Sequence, residues 1–108
     1  MTKYRNTPTM VDGIEFDSKA EARHYTKLLL LERAGQIKDL KRQVVFLIAD
    51  PVKLYGRKRP AIKYVADFTY EQDGKPIVCD VKGMLTPMYR LKRHLMMAVH
   101  GIEILEVA

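Results

Sequence analysis

The chain predicts a single α/β domain in which the elements follow the order αβββαβ, with a mixed central sheet flanked by helices. Three observations lead there. Ser18 and Glu21 stand at capping-box spacing ahead of an apolar-periodic stretch that Gly35 closes. Asp73-Gly74 separates two β-rich runs, a strong signal for a tight hairpin. Pro87 and Gly101 bracket a second amphipathic stretch, and a β-type run at 102–107 follows it.

Residues 1–10 are polar, basic and interrupted by Pro8, and read as a flexible arm; 11–108 form the domain. A small hairpin around Asp12-Gly13 leads into the first helix, which starts at Ser18 or Lys19. Tyr25, Leu28, Leu29 and Leu31 or Glu32 form its apolar stripe, and Gly35 is its C′ residue. Residues 37–40 are a short connector. The β-rich run 43–48 is expected to be buried on both faces. Residues 50–60, with Pro51, Gly56 and Arg57-Lys58-Arg59, read as a long basic loop. The strands of the main hairpin are 62–71 and 76–82. The second helix runs from Pro87 to about Val99, with Met88, Leu91, Leu95 and Ala98 or Val99 facing inward. Its crossover sets the final strand parallel to 76–82.

The chain has 108 residues, 47% of them apolar and 30% charged. That is enough for one modest core. No apolar run approaches the ~18 residues of a membrane span, and the N-terminus shows no secretory h-region. Cys79 is the single cysteine, which excludes an internal disulfide and a cysteine zinc cluster and fits a cytoplasmic location. A net charge of +6 points toward polyanions, nucleic acid first.

With Asp73 and Gly74 as the turn, Gln72 pairs with Lys75, Tyr70 with Ile77, Phe68 with Cys79 and Asp67 with Asp80. Like charges directly opposite each other destabilise a sheet, and Asp is disfavoured in strands. Two facing carboxylates therefore call for a cation between them, and a divalent metal is the best candidate. By alternation Lys82 shares their face, while Tyr64, Ala66, Phe68, Tyr70, Ile77, Cys79 and Val81 turn to the apolar side. Asp-x-Lys alone is uninformative, since it occurs four times in the chain. The plainer alternative is a solvated sheet face on which Lys82 neutralises Asp80.

The run Tyr64-x-x-Asp67-Phe68 followed by Cys79-Asp80-Val81-Lys82-Gly83 resembles the PD-(D/E)xK nuclease superfamily. The wider pattern adds Gly13-x-x-Phe16-x-Ser18-x-x-Glu21 and Gly35-x-Ile37-x-x-Leu40-x-x-Gln43. It is similar to small phage and prophage proteins related to Holliday-junction resolvases. Two departures stand out: Ala66 occupies the position of the proline, and the second acid is Asp80 rather than Glu. The resemblance implies a restriction-endonuclease-like core and an Mg²⁺-dependent DNA endonuclease in which Mn²⁺ substitutes. It assigns Asp67, Asp80 and Glu21 as metal ligands, with the Val81 carbonyl completing the shell. Lys82 would position the attacking water, and Gln43 would support the site. Glu21 has a second reading as the capping partner of Ser18.

Three basic segments are candidates for holding DNA: Lys3 and Arg5 in the arm, Lys53, Arg57, Lys58 and Arg59 in the loop, and Arg90, Lys92 and Arg93 on the second helix. None carries a base-reading motif, so phosphate contact is expected. Cutting both strands of a symmetric junction calls for two sites, hence a homodimer. Two alternatives stay open: a nicking or end-processing nuclease, and a nucleic-acid-binding module without activity.

Overall fold

Turn chemistry sets the frame of the molecule. The computed structural model describes residues 8–108, so Lys3 and Arg5 of the expected arm lie outside the described residues. Two-residue turns at Asp12-Gly13, Tyr55-Gly56 and Asp73-Gly74 each hold both residues at positive φ, between 51° and 77°. This is the requirement of a type I′ hairpin turn. They join β1 (Thr9–Val11) to β2 (Ile14–Phe16), β4 (Val52–Leu54) to β5 (Arg57–Arg59), and β6 (Ile62–Gln72) to β7 (Lys75–Val81). The remaining elements are α1 (Lys19–Arg33), β3 (Lys38–Ala49), α2 (Pro87–His100) and β8 (Leu105–Val107).

The central sheet has the order β3-β6-β7-β8. Its first three strands are antiparallel, and β8 pairs parallel to β7 after the α2 crossover. Leaving out the two small hairpins, the order is the expected αβββαβ. The β6–β7 register is also the expected one: Gln72↔Lys75, Tyr70↔Ile77 and Phe68↔Cys79. Ser18 caps α1, its Oγ accepting the Glu21 N–H at 3.1 Å. At the other end Gly35, at φ 77°, lets the Gly35 and Gln36 N–H groups donate back to Glu32 and Leu31 in a Schellman closure. Among the described residues no helix is long and apolar enough to cross a membrane.

The core divides in two. Phe16, Ala22, Leu28, Ile37, Phe68, Tyr70 and Cys79 pack with α1, whereas Ile48, Tyr64, Ala66, Val78, Tyr89, Met96 and Ile104 pack with α2. Tyr64 and Ala66 therefore do not share the environment of Phe68 and Cys79, as strict alternation predicted. The change falls at Asp67, opposite Gln43, whose φ of 52° kinks β3 at that point.

Other sequence expectations need correction. Thr9 and Met10, assigned to the arm, belong to β1. Residues 38–40, read as a connector, open β3, which bends at Asp39 with φ 56°. The run 43–48 is buried on one side only: α2 covers the face of Phe46 and Ile48, whereas Val45 and Leu47 on the other face are about half exposed with Val65. The basic loop 50–60 contains the β4–β5 hairpin. The final strand is shorter than expected, beginning at Leu105. On α2 the expected inward residues Met88, Leu91, Ala98 and Val99 are exposed, and Tyr89 and Met96 are buried with Leu95 beside them. The true stripe carries Lys92 and Arg93 between its apolar members, so an apolar-only reading of the helix rotates it wrongly.

Candidate active site

The β6–β7 ladder ends at Phe68↔Cys79, and the next pair of residues is held by side chains instead. The Asp67 N–H donates to Asp80 Oδ1 at 3.1 Å, and the Val81 N–H donates to Asp67 Oδ2 at 2.9 Å. Each carboxylate thus plugs into the backbone of the opposite strand. The expected facing of Asp67 and Asp80 is met, through crossed bonds rather than a ladder pair.

Asp80 is only 1% exposed, and a buried charge needs partners. Its Oδ2 accepts from the Tyr64 hydroxyl at 2.7 Å and lies 3.2 Å from Lys82 Nζ. Lys82 stands just past β7, and its N–H donates to the Val107 carbonyl at 2.8 Å, which ties it to the end of β8. Its ammonium also sits 4.1 Å from the centroid of the Tyr89 ring. The Tyr89 hydroxyl donates to Glu106 Oε2 at 2.6 Å, and Arg93 pairs with the same carboxylate at 3.0 Å.

Glu21 approaches from the first turn of α1. Its N–H completes the cap on Ser18, but its carboxylate makes no return bond to the Ser18 N–H, so only half of the capping box forms. The side chain is buried. Together with Asp67, Val81 and Lys82 it lines an open cavity of about 460 Å³ whose wall also includes Met84 and Thr86. Burial, then the charge of Asp17, raises the Glu21 pKa. Burial, then the charge of Asp80, pushes Asp67 well above the usual carboxylate range. Tyr64 and Tyr89 are pushed up by burial and by their carboxylate partners, so both stay protonated as donors.

Two carboxylates whose negative charge is disfavoured, beside a third acid, form a site short of positive charge. Among the described residues no three acidic, His or Cys side chains are already gathered at ligand spacing. The carboxylate oxygens of Asp67 and Asp80 nevertheless fit Mg²⁺ by their chemistry. That ion prefers hard oxygens and one or two carboxylates, and keeps several of its waters.

Gln43 is exposed and lies outside the cavity wall. Arg93 is engaged with Glu106, Lys92 is half-buried, and Arg90 is exposed. Lys53, Arg57, Lys58 and Arg59 are all exposed on the β4–β5 hairpin. His24 packs on Phe68 with its Nε2 3.6 Å from the buried Cys79 Sγ.

A family model described as a protein of unknown function, DUF1064, matches residues 1–104. The chain belongs to the DUF1064 family. No curated protein matches it, and no solved structure does.

In this DUF1064 chain three residues of the site carry no role in the sequence reading. Tyr64 stands there in a motif and on the apolar side of the hairpin, and Tyr89 and Glu106 do not figure at all. For Tyr89 a signal existed: Tyr89, Lys92/Arg93 and Met96 recur at helical spacing, a stripe hidden by its two charges. For Glu106 there was none, since its partners come from α2.

Proposed function

We propose that this DUF1064 protein is a metal-dependent endonuclease that hydrolyses phosphodiester bonds in branched DNA, with Mg²⁺ as cofactor and Mn²⁺ as a substitute. The reading is carried by one observation: the buried Asp80 is crossed with Asp67 and paired with Lys82, and Asp67 and Lys82 both line the cavity. A bound Mg²⁺ supplies polarisation of a phosphoryl oxygen and a more acidic water.

The chain's own residues do the rest. Tyr64 and the Asp67 N–H hold the Asp80 carboxylate still, and the Val81 N–H does the same for Asp67. Lys82, restrained between Asp80 and the Tyr89 ring, orients a water and offsets negative charge on the scissile phosphate. Glu21, free of a reciprocal cap, completes the acidic wall. A preference for four-way junctions implies a homodimer with two such sites.

Cleavage of four-way junctions, forks and linear duplex in Mg²⁺ or Mn²⁺ tests the reading, with Asp80→Asn as control. Junction cutting by the wild type, absent in the variant, is the expected result. DNA binding with every substrate left uncut in either metal would defeat it and favour a binding module.

A further inference from the structure

The β4–β5 hairpin contributes nothing to the core. Every residue from 50 to 60 is exposed except in its pairing, and the two strands form a sheet of their own. Such a hairpin is marginal in water, so its residues would be expected to favour pairing throughout. At two places they do the opposite. Lys53 and Lys58 are directly opposed in the register, a like-charge pair that destabilises the hairpin. Tyr55 takes the first turn position at φ 53°, where the other two hairpins use Asp12 and Asp73. A bulky residue is strained there, and at 95% exposure no packing among the described residues offsets the strain. On the other face Arg57 and Arg59 stand roughly 7 Å apart along the strand. None of the four cations has an ion pair, hydrogen bond or ring contact among the described residues.

We propose that β4–β5 is a ribbon that grips the phosphate backbone of DNA, with Tyr55 laid against a base at its tip. This rests on DNA being the partner, as in the proposed function, and not on cleavage. Phosphates between Lys53 and Lys58 turn their repulsion into attraction. A two-stranded ribbon fits the major groove, and an exposed aromatic ring stacks on any base. An anionic lipid surface fits less well, because Val52 and Leu54 share their face with Arg59 and Arg57 and leave no uncharged face to insert.

The test is fluorescence anisotropy of the full chain with a labelled forked duplex, in EDTA so that nothing is cut, beside thermal melts. The variants are K53E, Y55N and the double variant R57Q/R59Q. K53E converts the opposed pair to opposite charge, and Y55N places a turn-favoured residue at the strained position. Both are expected to melt at or above the wild-type temperature yet bind at least about fivefold more weakly. R57Q/R59Q lowers the slope of log K against log salt by about 2. Wild-type affinity and slope in all three variants overturn the proposal. So does binding of anionic vesicles that the variants abolish while DNA binding stays intact. Cleavage in Mg²⁺ is scored separately: binding through the hairpin without any cutting removes the nuclease reading and leaves the ribbon, and cutting with unchanged variant binding does the reverse.

Discussion

Lys82 and Tyr89 form a cation–π pair, with Nζ 4.1 Å from the ring centroid, and the same ammonium lies 3.2 Å from Asp80 Oδ2. Tyr89 is itself held by Glu106 and, through it, Arg93. The charge that faces the cavity is therefore positioned by a chain of contacts reaching into α2 and β8.

Tyr89→Leu should lower single-turnover cleavage by about tenfold, the scale of a partly desolvated cation–π contact. The loss should fall on the chemical step, with DNA affinity unchanged. Tyr89→Phe keeps the ring and is expected to restore most of the rate. Equal loss in both variants would assign the effect to the hydroxyl and Glu106 instead.

Asp80→Asn should reduce cleavage by about a thousandfold without unfolding the protein. The amide oxygen still accepts from the Asp67 N–H or the Tyr64 hydroxyl, but the ion pair with Lys82 is lost and the amide NH₂ faces the other donor. Melting of the metal-free variant is therefore expected to stay cooperative, at a temperature below that of the wild type. Wild-type cutting by this variant would end the nuclease assignment.

The carboxylate pair also makes a pH prediction. Burial, then the charge of Asp80, pushes the Asp67 pKa up to about 8, so the folded state holds this proton more tightly than the unfolded chain does. Its stabilising contribution is complete below the usual Asp range and is lost as pH rises through the raised value. Glu21, also raised, works in the same direction. His24, lowered by burial, opposes them only near and below its ordinary 6.5. Metal-free protein should thus lose stability to urea as pH rises from about 4 to about 8, and level off above that. Asp67→Asn should flatten that dependence, and added Mg²⁺ should flatten it in the wild type.

Ser18→Ala should cost about 1 kcal/mol in a denaturant titration, the usual value of an N-cap. Glu21→Gln should cost little, because the cap uses only its backbone N–H. If Glu21 serves the metal instead, the variant will need more Mg²⁺ to reach half-maximal cleavage. A large stability loss in Glu21→Gln with unchanged Mg²⁺ dependence would give the buried carboxylate a structural role instead.

The rotated face of α2 is tested by contrast. Met88→Glu and Leu91→Glu, at exposed positions, should stay within about 0.5 kcal/mol of wild type. Met96→Ala, at a site with no exposure, should lose about 2–5 kcal/mol. Denaturation curves that reverse this order would restore the orientation expected from the sequence.

What the sequence determined by itself was local. Ser18, Gly35, Asp12-Gly13, Asp73-Gly74 and Pro87 act on dihedrals and hydrogen bonds within a few residues, so the ends of both helices, two of the three hairpins and the β6–β7 register were legible. With that register came the approach of Asp67 to Asp80. Only the tertiary structure decided how the pair is held. Tyr64 reaches Asp80 across 16 positions, and Tyr89 and Glu106 meet across 17, distances over which no local pattern carries information. It also decided which side of each element is covered. Val45 and Leu47 stay exposed because no helix lies over them, and Tyr89 rather than Met88 turns inward because the ring fits between Tyr64 and Lys82. Burial depends on what packs against a face, and that partner comes from elsewhere in the chain.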